Sequence, residues 1–181
     1  MIKKTIFLLL LPFVTISLPA QKYITTEGNI SFFSSTPFED IKAENKKVIA
    51  ILDMQTGEVA VSCIMKMFHF ERALMEEHFN ENYVESHKFP KATFKGKIAN
   101  TSVLSNKNME QETEVEGIMN IHGVDQPFRA KVKMTPANEQ ITVKSEFEIS
   151  PADYGIKIPQ LVRTKIAEKI QVKVNLTLKK Q

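Results

Sequence analysis

The chain has 181 residues, 43% hydrophobic and 25% charged, a length that fits one ordinary domain better than two. With 24 Lys and Arg against 21 Asp and Glu, the formal charge of +3 is too slight for a nucleic-acid surface. The composition also excludes a disordered, collagen-like or disulfide-framework protein.

Residues 1–20 predict a removable export leader. Lys3 and Lys4 form a charged start, Ile6 to Leu18 an apolar stretch, and Ala20 closes a cleavage site before Gln21. The apolar stretch is interrupted by Pro12 and falls well short of the roughly 20 residues a spanning helix needs. No cysteine lies near the leader to carry a lipid anchor. The expected mature chain, residues 21–181, is exported and soluble. Losing Lys3 and Lys4 leaves it close to neutral.

From residue 28 onward the dominant pattern alternates with a period of two, the mark of strands with one dry and one wet face. Ile30-Ser31-Phe32-Phe33 begins a strand. Glu39 to Asn45 is a weaker one, and Val48 to Leu52 is an apolar run. A turn at Asp53 to Glu58 follows, in which Gly57 can supply a positive φ. The next strand is expected to reach Met67, with Val59, Val61, Cys63, Met65 and Met67 on one face. Cys63, the lone cysteine, reads as core filler in that face, and one thiol cannot build an internal disulfide.

Glu71 to Ser86 breaks the alternation and predicts a helical insertion with Leu74, His78 and Phe79 near one face and Met75 beside it. Its charge is −4. Ala92 to Ile98 is a strand, and Asn100 to Gln111 is polar and aperiodic, predicting a long mobile loop. Thr113 to Ile121 presents Val115, Gly117, Met119 and Ile121 on one face. After a tight return at Asn120 to Phe128, the next strand presents Phe128, Ala130, Val132 and Met134. Ile141 to Ile149 presents Ile141, Val143, Ser145, Phe147 and Ile149. The last strand presents Ile170, Val172, Val174, Leu176 and Leu178. Eight or nine antiparallel strands with one helical insertion must pair or close to bury their dry faces. A barrel of about eight strands is either filled by its side chains or holds one small ligand. Alternation leaves that choice open.

Motifs for chemistry are few. His69, His78 and His87 lie nine residues apart, which is no ligand spacing, and His122 stands alone, so no metal site is expected. Glu76 and Glu77 point to different sides of a helix. The six glycines are scattered, with no phosphate loop, no Gly-x-Ser-x-Gly and no His-Glu-x-x-His. The chain is therefore expected not to be an enzyme and to carry no cofactor, the alternative being a histidine-based metal or redox enzyme that brings His69, His78 and His122 together. Ile156 to Gln181 holds a net +6. These charges either meet an anionic head group or membrane surface, or decorate a wet strand face and balance the acidic helix.

Several loosely spaced pieces together resemble one family. Phe68-His69-Phe70, Leu74-Met75, His78-Phe79, Glu81-Asn82-Tyr83 and Phe89-Pro90-Lys91-Ala92-Thr93-Phe94-Lys95-Gly96 resemble the centre of a YceI-like domain. Gly117-x-Met119-x-Ile121-His122-Gly123-Val124 and Asp153-Tyr154-Gly155-Ile156-x-Ile158-Pro159 follow in the same order. The resemblance spans about residues 23–179, although the connecting loops are this chain's own and no tryptophan marks a pocket.

The resemblance implies an all-β, antiparallel lipocalin-like barrel, located in the periplasm. It also implies a carrier that holds a polyisoprenoid, quinone or fatty-acyl chain in an apolar interior. On that reading Phe32, Val61, Met65, Phe94, Met119, Phe147 and Val174 line the barrel, and Phe70, Leu74 and Phe79 gate its mouth. A homodimer and a transient contact with the membrane surface are further expectations. The alternative from another class is a cell-envelope stress or interaction protein with a closed, solid barrel core.

Overall fold

A computed structural model describes residues 21–105 and 109–181. The expected leader lies outside them. Nine strands run β1 (Lys22–Ser35), β2 (Asp40–Asp53), β3 (Glu58–Ile64), β4 (His69–Phe70), β5 (Lys91–Ile98), β6 (Gln111–Ile121), β7 (Val124–Ala137), β8 (Gln140–Ile149) and β9 (Ile170–Lys180). All pairings are antiparallel, in the order β1-β9-β8-β7-β6-β5-β3-β2, and β1 also pairs with β2. That last pairing closes an eight-stranded barrel. The two-residue β4 continues the β3 edge, pairing Ala43 with Phe70 and Glu44 with His69.

The alternation in the sequence becomes inside and outside. On β7, Ala130, Val132 and Met134 are buried while Arg129, Lys131 and Lys133 face water. The wet faces are laced across neighbouring strands, with Arg129 to Glu116 at 3.0 Å, Lys133 to Glu112 at 3.0 Å and Lys173 to Glu146 at 3.2 Å. On the basic C-terminal strand, Lys173 pairs with β8 and Lys180 with Glu139 of the β7–β8 hairpin, and neither pairs with the acidic helical segment.

Four elements differ from the sequence reading. Glu39 to Asn45 and Val48 to Leu52 form one strand, β2. It is carried through its middle by a bulge where Gly28 of β1 meets Val48. A Cβ on Gly28 would lie 2.4 Å from Leu176 Cδ2 and 3.1 Å from the Val48 carbonyl oxygen, so a larger residue there would have to displace the Leu176 side chain. Second, β3 ends at Ile64, and Met65–Met67 turn as a 3₁₀ helix. The turn separates two methionines expected on one face: Met65 is buried and Met67 is 41% exposed.

Third, the helical insertion is only α1 (Ala73–His78), followed by a π turn at Phe79–Tyr83. Leu74 and His78 lie exposed on α1, while Phe79, five residues and about 140° round the helix from Leu74, is partly buried. Fourth, the polar segment after β5 contains a 3₁₀ turn at Thr101–Ser105, whose Leu104 is buried in the core and whose Val103 packs against it. Residues 106–108 of that segment lie outside the described residues.

Candidate functional site

The two ends of the barrel are built differently. At one end lie the Asp53–Gly57 turn, the Thr101–Ser105 turn and the β7–β8 hairpin. Asp53 Oδ1 accepts from the Gln55 and Thr56 amides at 2.8 and 3.1 Å, and Gly57 closes the turn at φ 74°. Leu52, Ile98, Met134, Ile141 and Leu178 are buried there together with Leu104. Tyr23, Met54 and Val103 pack on them from outside. This end is a floor.

At the other end the connections are the β1–β2 turn, residues 65–90, the β6–β7 turn and a crossover of residues 150–169. Between floor and mouth the barrel holds a cavity of about 530 Å³. That volume falls in the range of small-molecule sites. The interior is therefore not a solid core.

The cavity wall is almost wholly apolar. All seven residues predicted to line the barrel, Phe32, Val61, Met65, Phe94, Met119, Phe147 and Val174, border the space. So do the three predicted at the mouth. Phe70 and Phe79 join Phe32 and Phe68 in an aromatic cluster, with Phe70–Phe79 centroids 5.1 Å apart and Phe32–Phe68 centroids 5.2 Å apart. Leu74 borders the rim but is 61% exposed. Deeper in, Phe128 bridges Phe94 and Phe147 at 5.8 and 4.7 Å. Edge and tilted packing of this kind suits aromatic quadrupoles and leaves gaps between rings.

Two facing glycines shape the wall. Gly96 of β5 pairs with Gly117 of β6, and a Cβ on Gly117 would sit 2.2 Å from the Lys95 carbonyl oxygen. The missing side chains let the strands curve tightly and leave room for the Phe94 ring, which lies against Gly96.

Sequence reasoning missed part of the wall. Ile156, Ile158, Val162 and Ile166 of the crossover border the cavity, as do Phe68 and Tyr154. The period-two pair Ile156-x-Ile158 was the available signal, hidden because the crossover is not a strand.

Polar groups concentrate at the mouth. Glu39, Arg72, His78 and Lys165 border it, and Arg72 is ion-paired with Glu39. Inside, Ser145 Oγ donates to the Lys131 carbonyl at 2.7 Å, and Asn45 donates to the Ile64 carbonyl at 2.9 Å. Each is thereby satisfied within the wall. Cys63 also borders the cavity, and burial pushes its thiol up to about 12, far from a nucleophile's range.

The histidines are dispersed among separate partners. His69 Nδ1 lies 3.5 Å from Glu76, while His122 sits between the Tyr154 carbonyl at 3.2 Å and Glu85 Oε2 at 3.1 Å. Among the described residues no three His, Cys, Asp or Glu side chains gather to hold a metal. No helix among them is long and apolar enough to cross a membrane.

The family model for the YceI-like domain matches residues 18–178. The chain belongs to the YceI-like family. Solved structures share the YceI-like barrel at low identity. A polyisoprenoid binding domain from Saccharophagus degradans, implicated in plant cell wall breakdown, superposes with a TM-score of 0.78 at 14% identity, covering 90% of this chain and 99% of that one. BcnA of Burkholderia cenocepacia gives 0.69 at 16% identity, covering 83% and 95%. The YceI protein of Campylobacter jejuni gives 0.56 at 12% identity, covering 98% and 93%. No curated protein matches the sequence.

Proposed function

We propose that this protein is an exported, periplasmic carrier that holds one long hydrophobic chain, isoprenoid-like in character, inside its barrel. The observation that carries this reading is the apolar cavity of about 530 Å³, closed at one end and ringed by polar groups at the other. Such a space suits an amphiphile that enters tail first and leaves its polar head at the mouth. Each Å² of apolar surface buried there contributes roughly 25 cal/mol. Polyisoprenoid, quinone and fatty-acyl chains all satisfy this geometry. The polyisoprenoid binding named for the Saccharophagus relative favours the first of them. Among the described residues the cavity wall is almost wholly apolar and brings together no constellation suited to acid–base or nucleophilic chemistry, which favours binding over catalysis.

Native mass spectrometry with lipid extraction, on protein taken from its own host's envelope, tests the proposal. The expected result is one bound chain per protein, lost in Met119→Lys, which sets a charge in the middle of the wall. Circular dichroism must show the barrel intact in that variant. Empty wild-type protein, or unchanged loading of a folded Met119→Lys, would sink the reading.

A further inference from the structure

The mouth carries a feature that a chain-binding cavity does not require. Among the described residues the two most exposed large apolar side chains are Leu161, 91% exposed, and Phe38, 73% exposed. Both stand at the open end. Leu161 belongs to the crossover between β8 and β9, and Phe38 to the turn between β1 and β2. These connections are neighbours, because β1 pairs with β9 and the Ala167 amide donates to Ser34 Oγ at 2.9 Å.

The crossover is two-sided. Ile156, Ile158, Val162 and Ile166 wall the cavity. Leu161 and Arg163 face water. Lys157, Arg163 and Lys165 have no ion-pair partner among the described residues. Lys169, by contrast, is held by Glu148 at 3.5 Å. Acidic groups near this side are Glu39, ion-paired with Arg72, Asp40, which accepts from Ser35 Oγ, and Asp153 and Glu168 on the crossover itself. Elsewhere at the open end, Glu71, Glu76, Glu77 and Glu81 lie on and around α1, Glu85 is paired with Lys88 and His122, Asp125 accepts from Asn120, and Glu148 holds Lys169. The crossover side therefore presents exposed apolar side chains and three unpaired cations against Asp153 and Glu168, whereas α1 carries an excess of acids.

We propose that the crossover side of the mouth docks on an anionic lipid surface. Leu161 and Phe38 insert at the headgroup boundary while Lys157, Arg163 and Lys165 meet lipid phosphates. The barrel then sits with its cavity opening against the bilayer. A chain then passes between membrane and cavity without crossing water. This rests on the carrier reading above and adds to it the surface from which the chain is exchanged.

Co-sedimentation with vesicles tests it, using phosphatidylcholine alone or mixed in equal parts with phosphatidylglycerol. The protein is expected to bind the mixed vesicles and not the neutral ones, and to release as salt rises. Arg163→Gln with Lys165→Gln should weaken binding roughly tenfold to thirtyfold, on the order expected for two interfacial charges. Leu161→Asp should abolish it, while Met109→Ser, at an exposed apolar residue of the opposite end, should leave it unchanged. Met119→Lys separates the two proposals, because it should empty the cavity yet keep vesicle binding.

Absent vesicle binding, equal binding to both vesicle types, or indifference to Leu161 and the basic pair would overturn the docking proposal while leaving chain loading to be judged separately. Analytical ultracentrifugation without lipid adds a further outcome. A dimer that Leu161→Asp dissociates would assign the patch to a second copy of the chain and overturn it as well.

Discussion

The floor and the mouth of this barrel are made from the same eight strands, yet one is packed and the other is open. At the floor, compact turns bring Leu52, Ile98, Leu104 and Leu178 together, each less than a tenth exposed. At the mouth, the strands spread into residues 65–90 and 150–169, which arch over the opening with a ring of phenylalanines. Alternation along a strand decides which side chains point inward. Whether they meet anything there is decided by the connections that cap each end.

This contrast predicts opposite responses to substitution. Leu178→Ala at the floor should cost about 2–5 kcal/mol in urea unfolding, since it truncates a side chain that is 2% exposed and packed in the core cluster, with chain retention largely preserved. Phe79→Ala at the mouth should cost clearly less stability, because the ring is only partly buried and borders the cavity, and chain retention should fall. Equal stability losses at the two sites would erase the distinction between floor and mouth.

A smaller effect is expected midway along the wall. Gly117→Ala forces a methyl against the Lys95 carbonyl, and overpacking of this kind costs about 1–3 kcal/mol. Thermal unfolding measures it, and an unchanged midpoint would show that β5 and β6 can separate freely.

The smallest effect concerns the clamp at the mouth. Glu85 accepts from Lys88 and contacts His122, whose other nitrogen faces the Tyr154 carbonyl. The clamp ties together the segment after α1, the β6–β7 turn and the crossover. It also holds Glu85 and His122 at φ 43° and 53°, a region non-glycine residues seldom adopt. The Lys88 hydrogen bond first, and His122 second, hold the Glu85 carboxyl below its ordinary 4.5. A carboxyl lowered on folding contributes stability that is present above 4.5 and lost as pH falls through its folded value. Glu85→Gln should therefore flatten the loss of stability on acidification below 4.5, measured by urea midpoints. A pH profile identical to wild type would remove the clamp from the account.

Much of the wall was legible in the sequence, and for one reason. Residues such as Met119, Phe147 and Val174 sit in clean alternating strands, so their direction follows from position alone. Misreadings arose where the chain leaves the strand period. Met67 was placed with Met65 because a 3₁₀ turn is invisible to a period of two. A single helical face cannot hold both Leu74 and Phe79, because five residues of helix set them about 140° apart. Leu104 was hidden in a polar segment because one apolar residue makes no periodicity. Ile156 to Ile166 were hidden because a crossover over a barrel mouth obeys no period.

By itself the sequence determined an antiparallel β-fold with a defined inward set, because side-chain direction in a strand is a local, two-residue property. It also sufficed to identify the family, through several short pieces in preserved order. Only the tertiary structure decided that the inward set surrounds empty space. Filling depends on strand number, on the curvature that Gly96 and Gly117 permit, and on which loops reach over each end. Those are sums over the whole ring of strands, and no window of the chain contains them.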